Sequence, residues 1–281
     1  MPVSFVLVCD LLEQAHKQCK AGDKNLKHRV CSWFRLHRQL IDEPETDASA
    51  LLSTLLPDKR TDRVYCIQAD TLANIIGRTF GLGTSRLQEL RRYKEAGRGE
   101  DLADCVERVF RETPNPSSSN RQELLGHLYL RLQAREAKWL TRLTLKNFQP
   151  VMLDPAHLYH CYDPLLPMIL MVQDNFDAAL CLLGNLKKDP SLLNGSENQK
   201  RRDLMRHLTP VLGTKVGRPF WLKGRSIKHC MKLIQGRMSC EKKMDGEYCQ
   251  IHVDLNKGFK CIQIFSKSGK DSTKDRAALH G

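Results

Sequence analysis

The string Glu241-Lys242-Lys243-Met244-Asp245-Gly246-Glu247 contains the pattern KxDG and stands between a basic loop and an alternating run of apolar and polar residues. A lysine attacks phosphorus only as the free amine, and a cationic or metal-rich phosphate site lowers its pKa enough for that near neutrality. Gly246 lets the backbone turn closely past a nucleotide. At the mouth of a sheet, Lys243 would meet the α-phosphate of ATP, expel pyrophosphate and hold AMP as a phosphoramidate, with magnesium offsetting the charge. The four-letter pattern alone arises by chance in roughly one chain in twenty of this length, and its plain alternative is a solvated turn with a surface lysine. Context must therefore discriminate.

The element that would carry Lys243 is a strand. Cys249, Ile251, Val253 and Leu255 alternate with Tyr248, Gln250, His252 and Asp254, the two-residue period of a half-buried strand. Asn256-Lys257-Gly258 supplies a turn, and Phe259 to Phe265 reads as the returning strand of a hairpin. Upstream the period is helical. Phe5, Val8, Leu12 and Ala15 mark a first helix, and Leu26, Val30, Trp33, Phe34 and His37 a second one packed beside it. Leu72, Ile75, Ile76 and Thr79 mark another, stopped by Gly81 and Gly83, and Leu87 and Leu90 begin a short one carrying Arg91, Arg92 and Lys94.

The stretch Glu112 to Asn120 is a loop rich in Pro and Ser, and Ser119 with Gln122 fits a capping box for a helix holding Leu124, Leu128 and Leu132. A later helix runs through Lys138, Trp139, Leu140, Arg142, Leu143, Leu145 and Lys146, with Arg142 and Lys146 one turn apart on one face and Trp139 read as core. The polar, basic stretch from Lys187 to Arg202 reads as a linker.

Composition narrows the partners. The 281 residues, 41% hydrophobic, are enough for one large core or two smaller ones. A formal net charge of +13 favours a polyanion, nucleic acid before an anionic membrane surface. The apolar run Val3 to Cys9 is too short for a membrane span and lacks the basic flank of a secretory signal, so we expect a soluble, intracellular protein. Eleven cysteines without a CxxC pair read as reduced, mostly buried thiols. His157, His160 and Cys161 lack a fourth nearby ligand and sit in a Pro-flanked loop, so no metal site is expected there.

Five fragments in order resemble the eukaryotic ATP-dependent DNA ligases, most nearly the DNA ligase IV type associated with end joining. EKKMDGE is similar to the nucleophile motif of that family, and LTPVLG (Leu208 to Gly213) to the opening of its adenylation domain. FSKSG (Phe265 to Gly269) is similar to the following motif, AKWLTRLTLKN (Ala137 to Asn147) to a DNA-binding segment, and Leu56 to Ile76 to an earlier stretch of that same domain.

The resemblance implies an α+β, mainly α chain. It would comprise an all-α helical DNA-binding domain over 1–187, a linker over 188–205 and the first β-hairpin of a nucleotidyltransferase (adenylation) domain over 206–281. It implies three steps: self-adenylation of Lys243, transfer of AMP to a 5′-phosphate at a nick, and attack by the adjoining 3′-hydroxyl. Glu241 would read the adenine edge, Lys242 and Met244 would line the nucleotide site with Asp245 and Gly246, and Lys267 would contact nucleotide or DNA phosphate. Arg142 and Lys146 would be the first phosphate contacts on double-stranded DNA with nicks or ends.

ATP and Mg2+ would be the cofactors, the nucleus the location, and a repair scaffold protein a possible further partner. Tyr248 stands where the family has an arginine, and Ser268 where it has an asparagine. The later motifs that carry metal and hold the α-phosphate have no counterpart, so a truncated product of a full ligase is expected. Two alternatives stand beside this reading: another KxDG transferase, such as an RNA ligase or a capping enzyme, and a non-catalytic DNA-binding remnant.

Overall fold

The computed structural model describes residues 2–60, 67–94, 124–188, 208–218, 223–233, 237–242 and 244–279. Lys243, the expected loop at 112–120, the capping box at Ser119 and Gln122 and all but Lys188 of the expected linker lie outside them. The described residues are mainly helical with one two-stranded antiparallel sheet, and the chain separates into two compact units, Met1–Pro164 and Leu165–Gly281.

In the first unit the described helices are α1 (Phe5–Lys20), α2 (Lys27–Leu36), α3 (Arg38–Ile41), α4 (Ala48–Leu55), α5 (Ala69–Thr79), α6 (Thr84–Leu90), α7 (Leu124–Tyr129), α8 (Ala134–Thr144) and α9 (Pro155–Tyr162). The periodic residues are the ones that pack: Val8, Leu12 and Ala15 of α1, Val30, Trp33 and Phe34 of α2, and Leu72 and Ile76 of α5 are all buried. Leu72, Ala73, Ile76, Leu90, Tyr129 and Ala137 form one core cluster that joins α5, α6, α7 and α8. Phe80 caps α5, and Gly81 follows at φ 58, its N–H bonded to the Arg78 carbonyl and that of Leu82 to Gly77. This is the double bond pattern of a Schellman stop, which needs the left-handed conformation glycine adopts freely. Arg91 to Lys94, expected on the helix of Leu87, instead form a separate 3-10 turn after α6 ends at Leu90.

Opposite α5, helix α8 meets α1 through buried polar groups. The Lys138 ammonium bonds Glu13 at 3.0 Å, the Trp139 indole N–H donates to the same carboxylate oxygen at 3.1 Å, and His16 Nδ1 lies 3.4 Å from Lys138 Nζ. A buried charge is tolerated when it is paired and hydrogen-bonded in this way. Trp139, 1% exposed, is core as expected.

The second unit holds α10 (Leu166–Val172), α11 (Phe176–Leu186), α12 (Ile227–Leu233), β1 (Cys249–Val253) and β2 (Ile262–Ser266). The α10–α11 elbow binds the segment 215–217: Asp174 N–H donates to the Lys215 carbonyl at 2.9 Å and Gly217 N–H to the Met171 carbonyl at 2.9 Å. An added Cβ on Gly217 would meet the Leu170 carbonyl at 2.7 Å, so close backbone approach requires glycine here.

The hairpin differs from expectation in its packed face. Ile251 and Val253 are 55% and 50% exposed and Leu255 83%, whereas Gln250 and His252 are half-buried. The polar face docks because its side chains satisfy the backbone of segment 213–216. The return strand starts at Ile262 rather than Phe259, because Leu255–Lys260 forms a 3-10 turn with Gly258 at φ 54. The thiols are also less buried than expected: of the described cysteines only Cys9 and Cys19 are buried, and Cys181 and Cys240 are exposed.

Candidate nucleotide-transfer site

Strand β1 opens three residues after Gly246, which places the KxDG string at one end of the hairpin. Register fixes what lies beside it. Cys249 pairs with Ser266, Ile251 with Ile264 and Val253 with Ile262, so the end of β1 next to the string lies beside the turn that follows β2. That turn carries Lys267. Gly269 sits in it at φ 85, with its N–H bonded to the Ser266 carbonyl at 2.8 Å, and Ser266 and Ser268 hydroxyls are 3.0 Å apart. Thus the register puts Lys267, which follows β2, and the segment that leads from the string into β1 at the same end of the sheet. The Lys243 side chain itself lies outside the described residues.

Glu241, Lys242, Met244, Asp245 and Gly246 are all exposed, Met244 at 78%. Glu247 forms an ion pair with Arg276 at 2.8 Å, tying the string to the C-terminal 3-10 turn Lys274–Leu279. Glu247 is largely exposed in this pair, which limits it to a fraction of a kcal/mol, on the order of 0.5, and to a positioning rather than an anchoring role. Tyr248, in the place expected to hold an arginine, is half exposed and adds no cation.

Three contacts that sequence reasoning missed hold the platform. Gln250 donates to the Val216 carbonyl at 2.7 Å and accepts from its N–H at 2.9 Å, while His252 Nδ1 accepts from Gly213 N–H at 3.1 Å. Lys215 pairs with Asp174 at 2.5 Å, and its chain crosses Gly269 so closely that any Cβ there would overlap it. The signal available in sequence was the polar positions of β1 themselves, which alternation assigns to solvent.

On the docked face lies a cleft of about 720 Å³, lined among others by Gly213, His252, Lys257, Phe259, Gln263 and Lys270. It shares no residue with the string 241–247. Asp271 borders it and is held below the usual carboxylate range: burial raises its pKa, but hydrogen bonds from Thr273 and Gln263 and the Lys274 charge outweigh that.

The two expected phosphate contacts occupy other roles. Arg142 is 2% exposed, donates to the Gln149 carbonyl and lies 5.4 Å over the Trp139 ring. Lys146 lies beyond the end of α8 in the left-handed region at φ 51, and its ammonium bonds the Arg60 carbonyl at 2.6 Å. The expected single basic face therefore does not form, because α8 stops at Thr144 and Arg142 turns into the core.

A mainly helical body followed by a small antiparallel hairpin is thus the class of chain these residues build. Residues 4–120 match the family described as DNA ligase N terminus. The match supports a DNA-ligase-type N-terminal domain in the first unit; it includes α1 through α6 and stops before α7. No curated protein matches the chain.

Proposed function

We propose that the chain is part of an ATP-dependent DNA ligase of the end-joining, ligase IV type, acting in repair and recombination in the nucleus, with Lys243 as the nucleophile. The observation that carries this reading is the juxtaposition of the KxDG string with Lys267 at one end of the hairpin, downstream of a stretch matching the DNA ligase N terminus. ATP enters as its magnesium complex. The Lys243 amine attacks the α-phosphorus, pyrophosphate leaves, and the amine proton passes to solvent.

Glu241 is an exposed acceptor suited to the adenine amino edge. Lys242 and Met244 flank the nucleophile, while Asp245 and Gly246 shape the approach to β1. Lys267 supplies a cation for phosphate at the same end. AMP then passes to a 5′-phosphate, and an adjoining 3′-hydroxyl displaces it to seal the strand. Double-stranded DNA with nicks or ends is the substrate, drawn by the chain's net charge of +13.

The test incubates the chain with α-labelled ATP and magnesium, followed by pyrophosphate. Covalent label that pyrophosphate removes and that Lys243→Ala abolishes supports the transfer chemistry. Absence of label, together with salt-sensitive binding to nicked duplex, establishes a non-catalytic DNA-binding module instead. Label without any binding to nicked duplex points to a different lysine nucleotidyltransferase.

A further inference from the structure

Helix α12 carries its charge in the open. None of its seven residues is buried; Lys228 and Lys232 stand one turn apart on one side of it, and Ile227 and Met231 one turn apart on another. The loop before it folds back onto its first turns. Ser226 Oγ accepts from His229 N–H at 3.1 Å, His229 Nδ1 accepts from Arg225 N–H at 3.4 Å, and Gly224 packs so close to Cys230 that an added Cβ would meet its Sγ at 2.6 Å. The backbone of Lys223 and Arg225, which flank that glycine, is therefore held against the helix that bears Lys228 and Lys232.

From Thr214 to Cys240 the sequence has no Asp or Glu. Lys223, Arg225, Lys228 and Lys232 are all exposed, and none of them forms an ion pair among the described residues. By contrast Arg38 pairs with Asp42, Arg135 with Asp10 and Lys215 with Asp174. Like charges gathered without carboxylates repel one another, and an anionic partner relieves that repulsion. We propose that Lys223, Arg225, Lys228 and Lys232 form a docking surface for the phosphodiester backbone of duplex DNA. The inference rests on the ligase reading for the identity of the polyanion, and it supplies phosphate contacts that Arg142 and Lys146 do not offer. Such cations position the duplex and read no sequence. An anionic membrane is the poorer occupant. An interfacial helix draws its affinity from buried apolar area as well as charge, and α12, about 10 Å long, shows lipid only Ile227, Met231 and Leu233.

The experiment measures binding of the full chain to nicked duplex across a salt series. One variant carries Arg225→Gln, Lys228→Gln and Lys232→Gln; a control carries Lys17→Gln, Lys20→Gln and Lys24→Gln, which removes the same charge from exposed positions on and just after α1. The α12 variant is expected to bind about tenfold or more weakly at low salt and to lose about 2.7 from the slope of log K against log salt, ~0.9 for each phosphate contact removed. The control keeps its slope. Equal losses in both variants show that net charge alone draws the duplex and overturn the proposal, as does an unchanged slope in the α12 variant. In the unsubstituted chain, bound duplex is expected to slow acetylation of Lys223, Lys228 and Lys232 about fivefold or more and to leave Lys17, Lys20 and Lys24 unaffected. Absence of that protection overturns the proposal even where a variant fails to fold, and protection by phosphatidylserine vesicles but not by duplex assigns the surface to a membrane instead. Labelling the same proteins with α-labelled ATP keeps the two readings apart: a lost slope without label sustains the surface and removes the nucleotide transfer, and label with an unchanged slope does the reverse.

Discussion

The carboxamide of Gln250 holds Val216 at both of its backbone groups, donating to the carbonyl at 2.7 Å and accepting from the N–H at 2.9 Å. A glutamine is one of the few side chains with a donor and an acceptor at the spacing of a strand partner, so it extends the sheet by a side chain where β1 has no further backbone neighbour on that face. Gln250→Leu leaves both Val216 groups without this partner. Amide exchange at Val216 is expected to rise by about tenfold, equivalent to roughly 1–2 kcal/mol, whereas exchange in α5 stays unchanged. Gln250→Glu keeps the acceptor but loses the donor, and its exchange should fall between the two. Equal protection in all three proteins would contradict the role assigned to Gln250.

Arg142 is a positioning residue inside the helical unit. It packs on Trp139 and bonds the Gln149 carbonyl. Arg142→Ala removes a buried planar cation and leaves that carbonyl unmet, so unfolding by urea is expected to shift by about 2–4 kcal/mol. The salt dependence of nicked-duplex binding by the folded protein is expected to stay the same, since a residue 2% exposed neutralises no phosphate. A reduced salt slope in Arg142→Ala at conditions where it remains folded would return the residue to the DNA interface.

Lys146 ends α8 in the place where helices favour glycine. Its N–H bonds the Leu143 carbonyl and that of Asn147 the Arg142 carbonyl, the same double pattern that Gly81 completes after α5. A side chain in the left-handed region costs on the order of 1 kcal/mol, which here accompanies the bond to the Arg60 carbonyl. Lys146→Gly and Lys146→Ala both lose that bond but only the first relieves the backbone. Chemical denaturation should therefore find the glycine variant more stable than the alanine variant by about 1 kcal/mol.

These residues show which parts of the fold and the site sequence could carry. The α5 stop was legible because Gly81 announces a left-handed residue, while the α8 stop was hidden because lysine does not. Helices α1, α2 and α5 were legible from spacing, since apolar residues at helical spacing, Val8, Leu12, Val30, Phe34, Leu72 and Ile76, are buried. The hairpin was legible as a period of two, but its packed face was not: Ile251 and Val253 are half exposed, and the docking is done by hydrogen bonds that a hydropathy pattern does not record. Lys267 entered the sequence reading only through the family resemblance; its place at the same end of the sheet as the string follows from the observed register. The fate of Arg142 depended on Trp139 and Gln149, whose joint placement only tertiary packing fixes.

Glu13 links the helical unit to pH. Burial raises its pKa, but the Lys138 hydrogen bond and charge, the Trp139 N–H and the His16 charge outweigh that, and the folded carboxyl sits below the ordinary glutamate value. A depressed folded pKa means that the unfolded chain binds the proton more readily, so stability rises with pH across the window between the two values. The contribution is complete above the ordinary glutamate pKa and is lost as pH falls through the depressed one. Glu13→Gln should flatten this acid limb in thermal melts and lower stability at neutral pH by about 3–5 kcal/mol, because Lys138, 4% exposed, is left as a buried charge without its carboxylate. Adding Lys138→Met should recover a large part of that loss while the limb stays flat, since the buried cation is removed together with its carboxylate. Retention of the full acid limb in Glu13→Gln would show that the pH dependence arises elsewhere.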